Sequence, residues 1–259
     1  MLPSLFISHG SPMLALRTSL ARDFLAGLGT QLRRPKAIVV ASGHWETEGP
    51  EVSGVGINDT IHDFYGFPPA LYAIRYPAPG SPELAEHITG LLREAGLAAE
   101  IDRARGLDHG AWVPLSLMYP GHDIPVLQLA LQSRGGPPHH LRLGRAIAAL
   151  REQDVLVIGS GAFTHNLARP RAPEQDAPAP ADIVAFADWM HAALTGQRTD
   201  ELLDYRRKAP YAALQQPTEE HLLPLFVALG AAGEGARATR LHASTTWGTL
   251  RMDAYSFDG

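Results

Sequence analysis

A chain of 259 residues, 45% of them hydrophobic, is long enough to bury a full core, and its 22 Lys and Arg against 27 Asp and Glu are scattered, leaving net −5 and no basic face for nucleic acid. The absence of cysteine excludes disulfides, iron–sulfur clusters and thiolate zinc sites, so a metal would have to be held by histidine, carboxylate or water. Twelve histidines are the outlying count, and histidine is where the chemistry is sought.

The N-terminal stretch M-L-P-S-L-F-I-S-H lacks a basic start and a long apolar run, so residues 5–7 read as a first strand and not as a signal peptide. Residues 37–41 (A-I-V-V-A), 125–131 and 155–158 (V-L-V-I) are further short apolar runs of the kind that form buried parallel strands. Leu84, Ile88, Leu91, Leu92 and Ala95 fall on one stripe of a helix, and residues 113–118 read as helical behind Asp108 and His109. Residues 169–180 (R-P-R-A-P-E-Q-D-A-P-A-P) cannot continue a helix or strand and read as a Pro-rich surface loop. Residues 181–232 look helical, with Thr218 as N-cap of a helix carrying His221 in its first turn, and residues 240–256 carry one or two strands with a turn at Gly248. Strands alternating with helices predict one α/β domain over residues 1–259, with a largely parallel central sheet flanked by helices. No apolar run approaches the roughly 20 residues of a membrane span. A soluble, cytoplasmic protein with no membrane partner is expected, as a monomer or small homo-oligomer.

Three of these strands run into Gly/Ser-rich turns carrying a histidine: F-I-S-His9-Gly10-Ser11, A-S-G-His44-Trp45 and I-G-S-G-A-F-T-His165-Asn166. Ligands of open α/β sheets bind outside the carboxyl ends of the strands, so these imidazoles are expected to converge on one metal crevice. Asp108-His109-Gly110 at a helix start and Glu219-Glu220-His221 are further candidates, although the two glutamates also suit a helix N-terminus. His62, in an aromatic loop, could line a pocket; His87, His122, His139, His140, His191 and His242 read as ordinary surface or core residues. Gly159-Ser160-Gly161 starts like a dinucleotide fingerprint but lacks its third glycine, and there is no Walker A, H-E-x-x-H or G-x-S-x-G sequence.

The motifs F-I-S-His9-G-S-P-M, S-G-His44-W, His62-Asp63-Phe64, Y-P-A-P-G from Tyr76, Asp108-His109-Gly110, G-S-G with His165-Asn166, and Glu220-His221 with Leu223-Pro224, in this order, resemble the class III extradiol ring-cleaving dioxygenases, in particular their 4,5-DOPA extradiol branch. The resemblance implies a non-haem Fe(II) site, with Zn(II) able to replace iron in purified protein. It implies His9, His44 and His221 as ligands and His165 as a fourth group near or on the metal, with Glu220 the alternative to His221. It further implies His165 and His109 as the catalytic acid/base pair, and a catechol and O2 as substrates. In that reading His165 takes a proton from the catechol, His109 returns one, and Trp45, Phe64, Tyr65 and Trp112 are candidates to wall the ring. An all-imidazole site also fits a zinc hydrolase, and a non-catalytic metal-binding relative is the other alternative.

Overall fold

The computed structural model describes residues 1–259. Its strands are β1 (Ser4–Ser8), β2 (Ala37–Glu46), β3 (Glu51–Ser53), β4 (Glu100–Asp102), β5 (Val126–Leu131), β6 (Val155–Gly161), β7 (Arg237–His242), β8 (Thr245–Thr246), β9 (Leu250–Arg251) and β10 (Ala254–Asp258). The helices are α1 (Leu20–Gln31), α2 (Pro69–Tyr72), α3 (Pro82–Glu94), α4 (His109–Met118), α5 (Gly136–Ala146), α6 (Ala181–Thr195), α7 (Thr199–Leu203), α8 (Tyr205–Lys208), α9 (Ala212–Gln215) and α10 (Leu223–Ala232).

Eight strands form one sheet in the order β4-β3-β5-β2-β6-β1-β10-β7. The centre, β5-β2-β6-β1, is parallel throughout, as expected from the apolar runs. Antiparallel pairs enter where β3 meets β5 and where the C-terminal β10 and β7 extend the sheet beyond β1. The C-terminal region thus holds more strand than the sequence suggests, with a small β8–β9 hairpin closed around Gly248, at φ 66°.

Each central strand is apolar on both sides because both faces of the sheet are covered. Successive side chains point to opposite faces, so Val39, Ala41, Leu127 and Val157 join a core with α3, α5, α6 and α10. Ile38, Val40, Val126 and Ile158 join a second core with α1 and α4. Burying a Val, Leu or Ile side chain is worth about 1.5–3 kcal/mol, so this two-sided burial fixes the register that aligns the strand ends.

Two expectations need correction. Strand β2 does not stop at residue 41 but continues through His44 to Glu46, with its pairing to β5 shifting register on the way. The helix expected to begin at Thr218 begins at Leu223 instead. Thr218 Oγ1 donates to Glu220 Oε1 at 3.0 Å and caps nothing, and His221 lies in the turn that precedes α10. Pro224 in the first turn suits this later start, since its missing N–H is one that a helix N-terminus leaves unbonded.

Gly159 and Gly161 of β6 let that turn reach the sheet. A Cβ at Gly159 would stand 2.0 Å from the Pro224 carbonyl oxygen, and one at Gly161 would stand 2.0 Å from that of His221. The His221 carbonyl accepts from Ala162 N at 2.8 Å, which ties the turn to the strand end. The Gly-Ser-Gly sequence that falls short of a dinucleotide fingerprint is thus a close-packing device.

Candidate metal centre

The site sits where four elements end or begin. His9 follows β1 and His44 lies in the last turn of the pleat of β2; α4 covers one face of the sheet and starts at His109, and the turn before α10 brings His221 from the other face. The helix start at His109 is held by its N-cap Asp108, whose Oδ1 accepts from Ala111 N at 3.2 Å and Ser42 Oγ at 2.7 Å. Its Oδ2 accepts from Gln128 Nε2 at 2.7 Å and Arg105 Nη2 at 2.8 Å. Asp108 is wholly buried, and these four donors compensate its charge.

Three ring nitrogens converge. His44 Nε2 is 3.0 Å from His9 Nε2 and 3.2 Å from His221 Nε2. The protons of the outer two rings can be located from their other sides. Ser160 Oγ donates its only proton to the Gly110 carbonyl, so it must accept from His9 Nδ1, 3.0 Å away. Glu220 Oε1 accepts from His221 Nδ1 at 2.9 Å. Both Nε2 atoms are therefore bare lone pairs aimed at His44, and a single proton on His44 Nε2 could meet only one of them. The Asp63 carboxylate, 3.4 Å from His44 Nδ1, draws that proton to the far side. Burial, followed by the neighbouring His44, His109 and His221 rings, holds His9 well below its usual pKa; burial with the His109 and His221 rings takes His44 down to about 2. Imidazoles that face one another through lone pairs are a donor set that a cation between them would satisfy. Two nitrogens each about 2.1 Å from one ion stand about 3.0–3.4 Å apart at ligand angles between a right angle and the tetrahedral one, and the observed spacings fit that range.

His165 is near but differently disposed. Its ring stacks on that of His221, with centroids 3.5 Å apart and planes 14° from parallel, and it is not one of the three converging rings. Burial, then the His221 ring, lowers its pKa to about 3, against the opposing pull of Glu220. Glu220 turns its oxygen to His221 Nδ1 and stands 3.9 Å from His165 Nδ1, so it orients these rings from behind. His109 Nδ1 donates to Asp63 Oδ2 at 2.9 Å and its backbone N–H to Asp63 Oδ1 at 3.0 Å. Burial would raise the Asp63 carboxyl, but the His109 hydrogen bond and the two nearby rings together hold it at about 2.

The five histidines border one cavity of about 190 Å³, whose other walls include Phe64, Phe67, Leu167, Leu250, Met252 and Arg171. An apolar cavity of about 150 Å³ accepts a benzene ring. Of the four aromatics expected to wall a ring, only Phe64 does so. Trp112 is wholly buried in the core, Trp45 is buried beneath Arg105, and Tyr65 is 90% exposed. Phe67 takes the second aromatic place. His62 donates to the Ile74 carbonyl at 3.2 Å and packs behind Phe64 and against Trp112, outside the lining. His87, His122, His139, His140, His191 and His242 also lie outside it.

Asp63, Ser160 and Arg171 are the residues that sequence reasoning misses. Asp63 stands beside His62 in a quoted motif, but nothing in its spacing points to His109, and Arg171 belongs to a stretch read only as surface loop. Residues 169–180 do form neither helix nor strand, yet the start of that stretch reaches the cavity.

Comparison with known proteins finds relatives along nearly the whole chain. A 4,5-DOPA dioxygenase extradiol from Beta vulgaris is 48% identical over 256 residues, covering 97% of this chain and 95% of its own length. A protein of the same description from Escherichia coli (strain K12) is 42% identical over 234 residues, covering 89% and 85%. The crystal structure of an uncharacterized protein from Escherichia coli K12 superposes with a TM-score of 0.82 at 34% identity, covering 100% of both chains. Residues 3–252 match the family model described as the catalytic LigB subunit of aromatic ring-opening dioxygenase, and the chain belongs to that family.

Proposed function

We propose that the protein is an Fe(II)-dependent extradiol dioxygenase that opens the ring of a DOPA-like catechol beside its hydroxyls, incorporating both atoms of O2 to give a semialdehyde. The observation that carries this reading is the convergence of His9, His44 and His221 Nε2 at 3.0 and 3.2 Å beside an aromatic-walled cavity. These three would hold the ion on one face, and Fe(II) so held would supply the redox chemistry that activates O2 toward a catechol.

The chain's own residues account for proton movement. With its Nδ1 proton on Asp63, His109 offers a bare Nε2 toward the site, and the carboxylate stabilises the imidazolium formed when that nitrogen takes a proton from a catechol hydroxyl. His165, without a hydrogen-bonded carboxylate and held neutral by burial, is the poorer acceptor, and the imidazolium formed at His109 is the group that holds a proton to return to the opening ring. The hydrogen bonds thus favour His109 rather than His165 as the base, with the same ring giving its proton back, in place of the division of roles expected from sequence. Phe64 and Phe67 would flank the ring and exclude water from the ring-opened product.

Anaerobic reconstitution with Fe(II), followed by L-DOPA in air, tests the reading. Stoichiometric O2 uptake with a yellow ring-opened product, lost in His44→Ala, is the expected result. Bound iron without O2 uptake across a panel of catechols would overturn it.

A further inference from the structure

Arg171 is the only permanently charged residue in the cavity lining, and it lines the same space as the five histidines. Its loop neighbour Arg169 is committed to Asp182, with contacts of 2.5 and 3.2 Å, whereas Arg171 has no carboxylate partner and rests over the Trp247 ring at 5.2 Å. The loop is held in place at this point. Ala172 N donates to the Trp247 carbonyl at 2.9 Å, Trp247 N to that of Gln175 at 2.6 Å, and Gln175 Nε2 to that of Thr18 at 2.8 Å. Trp247 itself is fixed in the left-handed region, φ 51°, at the β8–β9 turn. Leu250 and Met252 line both the metal cavity and an adjoining cleft beside Trp247 and Arg17, so the apolar floor runs on toward the guanidinium.

We infer that Arg171 is a specificity-determining residue that receives the carboxylate of an anionic side chain on the catechol ring. This inference rests on the catechol reading above. A guanidinium presents a planar fork matched to a carboxylate, and its cation–π contact with the Trp247 indole holds it beside the cavity before the ligand arrives. The remaining lining offers no other fixed charge, so the cavity discriminates by charge at this one place. Catechols with a carboxylate side chain are selected over neutral ones of similar size, and those with an ammonium side chain alone are disfavoured.

Anaerobic calorimetry on the Fe(II)-loaded protein reads this without requiring turnover, using 3-(3,4-dihydroxyphenyl)propionate, 4-ethylcatechol and dopamine as probes. The wild-type protein is expected to bind the propionate about tenfold more tightly than 4-ethylcatechol, the low end for a charge-assisted contact because the guanidinium is exposed. Arg171→Gln should abolish that ratio with a much smaller effect on 4-ethylcatechol, and Arg171→Glu should turn the preference toward dopamine. An unchanged ratio in both variants would overturn the inference even if every catechol is cleaved in air. A ratio that collapses as expected in a protein that cleaves none of them would sustain the anion site and remove the dioxygenase reading. Failure of the wild type to bind any probe would overturn both.

Discussion

Asp63 Oδ2 stands 2.9 Å from His109 Nδ1, and the same carboxylate accepts the His109 backbone N–H through its other oxygen. One residue thereby fixes both the position and the tautomer of the ring that faces the cavity. Asp63→Asn can offer an amide hydrogen where the carboxylate accepted one, and it cannot stabilise an imidazolium. Turnover of a catechol should fall by about 10²-fold or more, the contribution expected of a positioned general base, and by more than catechol binding does, although the same carboxylate also faces His44 Nδ1. The measurement is kcat against a binding isotherm on the same Fe(II)-loaded preparation, and an unaltered kcat would remove Asp63 and His109 from the proton path.

Ser160 and Glu220 set the outer ligands as Asp63 sets His109. Removing the acceptor behind His9 in Ser160→Ala, or weakening the one behind His221 in Glu220→Gln, frees each ring to rotate or to move its proton onto Nε2. Losses of about 10–100-fold in metal affinity are expected from such outer partners. Titration with Fe(II) under anaerobic conditions, or with Zn(II), checks both variants, whereas His9→Ala, His44→Ala and His221→Ala should each abolish stoichiometric binding.

The parts of this site that could be read from sequence are those with a local signature. Buried parallel strands are continuous apolar runs, so 5–7, 37–41 and 155–158 stand out, and the histidines just beyond them are placed by the fold rule alone. The facing of Trp45 follows from the length of β2: in a strand that continues through His44, its neighbour must face the other way, and Trp45 lies buried under Arg105. The three-residue strands β3 and β4 are too short to show any period. Asp63 and His109 are 46 positions apart, and their pairing follows from the path of the chain between β3 and α4 and from no spacing rule. Arg171 could not be read because a Pro-rich stretch reveals what it cannot form, not where tertiary contacts will hold it.

Gly161 is required by contact and not by backbone conformation. A methyl group there would meet the His221 carbonyl oxygen at 2.0 Å, so Gly161→Ala must push the turn before α10 away from β6 and carry the His221 ring with it. A loss of about 1–3 kcal/mol in stability is expected from such overpacking, together with weaker metal binding. Equilibrium urea unfolding and Fe(II) titration check the two effects, and a stable variant with normal metal affinity would show that the turn has room to yield.

His140 links stability to pH away from the metal. It is wholly buried, donating from Nδ1 to the Gly136 carbonyl at 2.7 Å and accepting the Gln132 N–H on Nε2 at 3.2 Å, so a second proton would set two donors against each other. Burial pushes its pKa down to about 4, partly opposed by the Gly136 hydrogen bond. In the unfolded chain an imidazole titrates near 6.5. Between these values the unfolded state binds the extra proton, so the stability contributed by neutral His140 is complete above about pH 6.5 and declines as pH falls toward 4. From pH 7 to pH 5 the loss attributable to this residue is roughly 2 kcal/mol. The other histidines titrate as well, so the test compares urea midpoints at the two pH values for the wild-type protein and His140→Gln. The variant should be less stable at pH 7 but show the smaller decline, and equal declines in the two proteins would mean that His140 does not carry this dependence.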